Sequence, residues 1–328
     1  MILLLGATGL LGHNVLKLLL RECRRVRCIV RQGSKIDPEV LACAPQGALD
    51  IVYGSALDTH LLMEKLWGCD VAINCTGITD MTLSKAEDYK PVNVDLPLTL
   101  ARLMHETGGQ TLIDISSANT VDPGTAESPS NEETPFGGPF SASLYARSKR
   151  ESEQALLRFA AEHRSLRTVI ILPGFMVGPY DRKPSSGRLL LAAYRKPIMA
   201  VPAGGKSFID VRDVASAVAG AIDNPLAAGR YLTTGKSMTL KEFYSLQAEV
   251  CGYRQAYVVL PRGLCLAAGG VGDRMESRGH NNLFVSRNVR QLLIEEWYDD
   301  SRARKELGMT DTPLAQSIKD FFAYHDKH

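Results

Sequence analysis

An α/β fold, with a doubly wound parallel sheet and a smaller capping domain, is what three features of the sequence predict. Five apolar residues of β type at 1–5 run straight into Gly6, Gly9 and Gly12, and a helical pattern follows. Short apolar runs then alternate with segments of helical period as far as residue 173. Strands and helices in that order wind a parallel sheet through right-handed crossovers and place a ligand at the strands' carboxyl ends. Beyond Gly174 the alternation dissolves into Gly- and Pro-rich stretches at 178–187 and 202–206 mixed with short helices. A smaller α/β domain over the carboxyl edge of the sheet would have that pattern.

The first strand and its turn organise the rest. Gly6 permits a tight exit from the strand, Gly9 leaves room for phosphates to approach the backbone, and Gly12 lets the helix pack closely on the sheet. Thr8, Leu10 and Leu11 stand among these glycines and complete the expected cofactor-binding loop. Unpaired NH groups at the start of the helix would face a pyrophosphate. Residues 1–20 are apolar with Lys17 the one charge, so a secretory leader is the competing reading. Such a leader starts with basic residues and has an unbroken apolar centre; this stretch has neither, being interrupted by three glycines, His13 and Asn14.

Val15, Leu16, Leu19 and Leu20 recur at helical spacing and give the first helix one buried face. The second strand spans 26–30 and ends at Arg31, with Ser34 and Lys35 close behind. An acidic residue about 20 positions beyond the glycines holds a bare ribose hydroxyl, whereas an arginine accommodates a 2'-phosphate. Arg31 therefore favours NADP(H), with NAD(H) left open. Further strands are expected at 50–53, before Gly54 and Ser55, at 71–74, before Cys75, Thr76 and Gly77, and at 111–115, before Ser116 and Ser117. Small residues at such ends let a cofactor come close. A helix at 96–105 separates the last two strands. Residues 119–139, rich in Pro, Gly, Ser and Glu, read as a loop, and their position directly after a strand end makes them a lid near the site.

Helical period resumes over 141–163, with Leu144, Ser148, Ala155, Leu156 and Phe159 on one face, and an apolar strand at 168–172 closes at Pro173 and Gly174. Stretches at 208–213 and 230–233 look like strands returning to the main domain. The expected division is thus interleaved. Residues 1–173 with 206–235 form the nucleotide-binding domain, and 174–205 with 236–328 form the substrate-binding domain.

Composition limits the function. The 328 residues are 45% hydrophobic and 23% charged, the mixture of a soluble globular protein. A net charge of +2, with both signs interspersed, gives no electrostatic footprint for nucleic acid. No apolar run reaches the roughly 18 residues of a membrane span, so no membrane partner is expected. Seven cysteines contain no C-x-x-C pair and are odd in number, which suits free thiols in a reducing cytoplasm better than a disulfide framework. His13 and His280 have no neighbours at metal-ligand spacing, so no zinc site is expected.

Tyr145 and Lys149 lie four residues apart, on one face of a helix. A tyrosine with an ordinary pKa near 10 would serve as proton donor to a carbonyl, or base toward an alcohol, more readily if it titrated nearer about 7. A lysine cation roughly 4 Å away could supply that shift. Ser116 or Ser117, ending the neighbouring strand, could donate a hydrogen bond to the substrate oxygen as negative charge develops there.

These residues together resemble the extended (atypical) short-chain dehydrogenase/reductase family. The likeness runs through GATGLLG at 6–12, SS at 116–117, YARSK at 145–149, PGFMVGP at 173–179, FIDVRDVA at 208–215 and DDSRARKELG at 299–308. Within it, SSANTV at 116–121, Arg31 and PGFMVGP are most similar to the dihydroflavonol reductase-like branch. The resemblance implies a Rossmann domain, a nicotinamide cofactor and a Ser/Tyr/Lys triad. It makes Tyr145 the acid/base, Lys149 its pKa partner and ribose ligand, and Ser117 rather than Ser116 the triad serine. Pro173, Gly174, Phe175 and Met176 would line the nicotinamide, and Ser55 stands where the family carries an acidic residue beside the adenine. An oxidoreductase acting on the carbonyl or alcohol of a small organic substrate follows, with a homodimer left open. Two alternatives remain: a nucleotide-sugar epimerase or dehydratase that recycles its cofactor, and a regulator that senses dinucleotide without turnover.

Overall fold

A computed structural model describes residues 1–182, 186–280 and 282–327. Strand β1 (Ile2–Leu5) is buried at every position, and its side chains alternate between two cores. Ile2 and Leu4 face Val15, Leu16 and Leu19 of helix α1 (Leu10–Arg21), while Leu3 and Leu5 point the opposite way. A strand apolar on both faces needs helices on both, and the chain supplies them. After β2 (Val26–Val30) come the single turn α2 (Pro38–Leu41) and β3 (Leu49–Tyr53). Helices α3 (Thr59–Leu66) and α4 (Leu96–Glu106) flank β4 (Val71–Asn74), and α5 (Leu144–Glu162) joins β5 (Thr111–Ile115) to β6 (Arg167–Pro173). Leu62, Leu100, Met104 and Leu156 of these helices close the second face over Leu3 and Leu5. Each fully buried leucine of this kind contributes roughly 1.5–3 kcal/mol.

The chain leaves the main sheet at Gly174. A Cβ there would lie 2.6 Å from the Ser207 carbonyl oxygen and 2.9 Å from that of Thr234, so only glycine lets three segments cross. Strand β7 (Phe175–Val177) starts a second sheet, followed by α6 (Gly187–Ala193), β8 (Ile198–Val201) and β9 (Gly205–Asp210). Helix α7 (Val211–Asp223) returns to pack beside α1, and β10 (Gly229–Thr233) pairs with β6. The remainder is β11 (Lys236–Thr239), α8 (Leu240–Val250), β12 (Ala256–Val259), α9 (Arg262–Glu276), α10 (Ser286–Gln291), α11 (Ser301–Leu307) and α12 (Leu314–His325). The main sheet has the order β10-β6-β5-β4-β1-β2-β3, parallel throughout. This is the Rossmann-type doubly wound sheet expected, with the order reversing at β1 and β4. A small sheet β11-β9-β7 and the pair β12-β8 lie in the second part of the chain, around a core of Val177, Leu190, Phe208, Phe243 and Phe321.

Three expectations are corrected. The strand read at 208–213 stops at Asp210, whose carboxylate caps α7 by accepting from the Arg212 amide at 2.7 Å. That strand pairs with β7 and β11 in the small sheet and not with the main one. The loop at 119–139 is irregular, but it is strapped down and does not hang free as a lid. The Gly124 and Ser130 amides donate to the Trp297 carbonyl at 3.0 and 3.1 Å, and the Leu232 amide of β10 donates to the Glu132 carboxylate at 2.9 Å. Helix α5 begins at Leu144 and not 141, because residues 139–142 form a tighter turn and Ser143 caps the helix. Of the Gly- and Pro-rich stretch 178–187, residues 183–185 lie outside the described residues.

Candidate active site

The carboxyl ends of β1, β4 and β5 bring the predicted residues to one edge. Gly6 has φ +78°, and a Cβ on it would sit 2.6 Å from the Cys75 carbonyl carbon. At Gly12 a Cβ would come within 2.0 Å of the Gly6 carbonyl oxygen. Both glycines are required by the protein's own packing. Gly9 differs: its Cβ would meet only the Gly6 oxygen, at 3.4 Å, and the residue is exposed. The space over Gly9 is open. Thr8 and Leu10 border it half-buried, while the Leu11 side chain is in the core, so Leu11 offers only its backbone. No acidic residue stands in the first turn of α1, and no side chain caps it. This cradle fits a dinucleotide's pyrophosphate.

Arg31 and Lys35 are exposed beside it at the end of β2. Among the described residues neither forms an ion pair, so both cations are free to meet a phosphate. Ser55 is also exposed, but its hydroxyl accepts from the Leu57 amide at 3.1 Å and serves the turn. At the end of β4, Cys75 and Thr76 are half-buried, and the Thr76 hydroxyl is held by Asn74 at 2.5 Å. Gly77 abuts the catalytic candidates, since a Cβ on it would lie 3.4 Å from Lys149 Nζ. Pro173 is buried, while Phe175 and Met176 are half-buried on β7, just past the Gly174 crossing.

The two serines have different neighbours. Ser116 turns inward and donates to Glu153. Ser117 faces the Tyr145 hydroxyl, and its own hydroxyl pulls that group's pKa down. Burial is the larger influence, however, and with the Glu153 charge it holds Tyr145 above its ordinary value. Lys149, 3% exposed, donates to the Ile115 carbonyl at 2.8 Å. Burial lowers its pKa against the opposing charges of Asp114, Glu153 and Cys75. The Lys149 ammonium is directed at the Ile115 carbonyl at the strand end and at Asp114.

Several residues that organise the site were missed in the sequence. Asn93 accepts from the Ile78 amide at 2.8 Å and donates to the Ile78 carbonyl and the Ser148 hydroxyl, both at 3.0 Å. It fastens the loop after β4 to α5. Asp114 accepts from Asn74 at 2.7 Å and is kept above its ordinary pKa by burial. Glu153 meets Arg230 at 2.9 Å with neither side chain more than one-tenth exposed. Two signals were available: a carboxylate inside the apolar run 111–115, and Glu153 four residues past Lys149. Asn93 offers no comparable signal.

The model of the NAD dependent epimerase/dehydratase family matches residues 2–232. The chain is 27% identical to sterol demethylase protein B of Methylococcus capsulatus over 327 residues, 98% of this chain and 97% of that one. It is 25% identical to dihydroflavonol 4-reductase of Zea mays over 263 residues, 73% of this chain and 71% of the other. Among solved structures, that of gox2253 superposes with a TM-score of 0.84 at 24% identity, covering 100% of this chain and 98% of that one. At that identity the likeness speaks for the fold alone.

Proposed function

The chain belongs to the NAD dependent epimerase/dehydratase family, and from that premise we propose that it is an NAD(P)H-dependent oxidoreductase. It reduces a carbonyl of a small organic substrate, or runs the reverse oxidation, with Ser117, Tyr145 and Lys149 as its triad. The observation that carries this reading is the gathering of Ser117, Tyr145 and the buried Lys149, whose Nζ would meet a Cβ on Gly77 at 3.4 Å, on the strand edge that holds the open Gly9 cradle. When bound, the nicotinamide supplies the hydride. Tyr145 gives its proton to the developing alkoxide, and Ser117 donates a hydrogen bond to the same oxygen. Lys149, held by the Ile115 carbonyl at 2.8 Å, stands beside them. The unpaired Arg31 and Lys35 favour NADP(H) over NAD(H).

An epimerase or dehydratase would use the same residues but return its cofactor to the starting state, whereas a reductase exchanges it every cycle. The test is a screen of ketones and aldehydes, following reduced nicotinamide against product with each cofactor. One NADPH oxidised per product, with NADH slower, is the expected result. Product formed on catalytic cofactor without net absorbance change would overturn the reductase reading.

A further inference from the structure

We propose that the outer face of α9, together with Phe284, seats the second part of the chain on an anionic lipid surface, from which an apolar substrate reaches Tyr145. An ordinary surface helix buries its apolar stripe. Helix α9 buries small residues instead: Cys265, Gly269 and Gly272 face inward. A Cβ on Gly272 would lie 1.7 Å from the Phe284 carbonyl oxygen, and one on Gly269 3.0 Å from Ser286 Cα. The segment 284–286 thus lies directly on the inner face, and the apolar side chains are left outside. Leu264, Val271 and Met275, spaced to share one exposed face flanking the buried one, are 57%, 57% and 44% exposed, and Phe284 is 67% exposed. Val258 and Val259, on the strand leading into α9, are exposed as well. Seven of the thirteen exposed large apolar residues among those described fall within 258–284, which makes it a patch and not scatter.

Charge selects the occupant. Residues 254–290 hold six arginines and two acidic residues, a local excess of +4 in a chain whose total is +2, so the remainder is net acidic. Both acids are engaged internally, Glu276 with Arg287 at 2.6 Å and Asp273 with the Ser286 amide at 2.9 Å. Arg254, Arg262, Arg274, Arg278 and Arg290 are exposed. A second copy related by two-fold symmetry would set these arginines against themselves. Anionic headgroups around an apolar insertion match them. No helix among the described residues is long and apolar enough to cross a membrane, but interfacial docking needs no span.

The patch also adjoins the site. Asn288 and Arg287 of α10 donate to the carbonyls of Met81 and Leu83 at 2.9 and 3.3 Å. These residues belong to the loop after β4, where Tyr89 stands with its ring 6.5 Å from that of Tyr145. The substrate half of the inference rests on the carbonyl-reductase reading and agrees with the sterol in one relative's name; the docking half rests on the surface alone.

The test is co-sedimentation with phosphatidylcholine vesicles, with and without phosphatidylglycerol, for the wild type and the Val271→Asp/Phe284→Asp variant. NADPH binding followed by fluorescence shows whether the variant is folded. The wild type is expected to sediment with the anionic vesicles, less so as salt rises, and the folded variant to partition at least about tenfold more weakly. Wild type that stays in solution, or a variant that sediments equally, overturns the docking surface. So does a wild-type dimer that the variant dissolves without any vesicle binding. If docking fails while a water-soluble ketone is still reduced with NADPH, the surface is wrong and the reductase reading stands. Docking without reduction of any carbonyl compound supports the surface and leaves the reductase reading as the one at fault.

Discussion

At Tyr145, burial, a hydrogen bond and nearby charges compete for one proton. Burial outweighs the Ser117 hydrogen bond, so the hydroxyl sits above its ordinary value of 10.0. A group whose working form is protonated, and whose pKa is raised, stays active until the pH climbs through that pKa. Reductive kcat/KM, which reports the free enzyme, should therefore show no loss from Tyr145 below about pH 10. Tyr145→Phe should lower turnover by roughly a hundredfold or more across that range while NADPH binding is kept. A wild-type profile that falls near pH 7 with a tyrosine-dependent limb would show that Lys149 controls the proton after all. The Tyr145–Lys149 spacing was legible from helix periodicity, as was the small-residue end of β5. What spacing could not show was the direction of the lysine. Its position is set by Ile115 and Asp114, residues some 35 positions earlier that meet it only through the sheet.

Helix α1 shows how an element is tied to its surroundings by a residue that sequence patterning leaves unassigned. His13, 1% exposed, has its Nδ1 3.1 Å from the Gly9 carbonyl, and its Nε2 accepts from the Asp37 amide at 3.1 Å. The ring is thereby a neutral tautomer that locks the glycine loop to the chain following Arg31 and Lys35. Burial depresses its pKa below the ordinary 6.5, against the pull of Gly9 and Asp37. For a group depressed in the fold, the stabilisation is complete above the unfolded pKa and is lost as pH falls toward the folded one. Unfolding free energy should thus drop by about 1.4 kcal/mol per pH unit below 6.5 until the folded pKa is reached. Urea titrations of wild type and His13→Gln at several pH values measure it. If the two proteins have parallel pH dependence, His13 is not the source. Elements whose apolar period is strong, such as 26–30 and 71–74, were readable to within a residue. The strand at 208–213 was misjudged because Val211 and Val214 are β-branched, and the Asp210 cap ends the strand regardless.

Across the whole molecule, helix α5 is joined to the edge of the sheet and to the strapped loop through one guanidinium. Arg230 of β10 meets Glu153 of α5 at 2.9 Å, donates to the Glu132 carbonyl, and reaches the Thr120 carbonyl at 3.3 Å. Nothing local in the sequence announces this, because the three partners lie between about 75 and 110 residues away and converge only when β10 closes the sheet beside β6. Burial pushes the Glu153 carboxyl up and the Arg230 guanidinium down, each against the attraction of the other. A pair in that condition adds little over an apolar replacement, yet removing one member strands a buried charge, at a cost of about 3–5 kcal/mol. Arg230→Met should therefore lower the urea midpoint by up to that equivalent, with Glu153 left to Ser116 and to Arg150 at 3.3 Å. Glu153→Gln keeps an acceptor for Ser116 without the charge, so adding it to Arg230→Met should recover part of the loss. The sign of that coupling is the test: a double variant as unstable as the sum of the singles would mean that Arg230 acts through its contacts to the loop and not through α5.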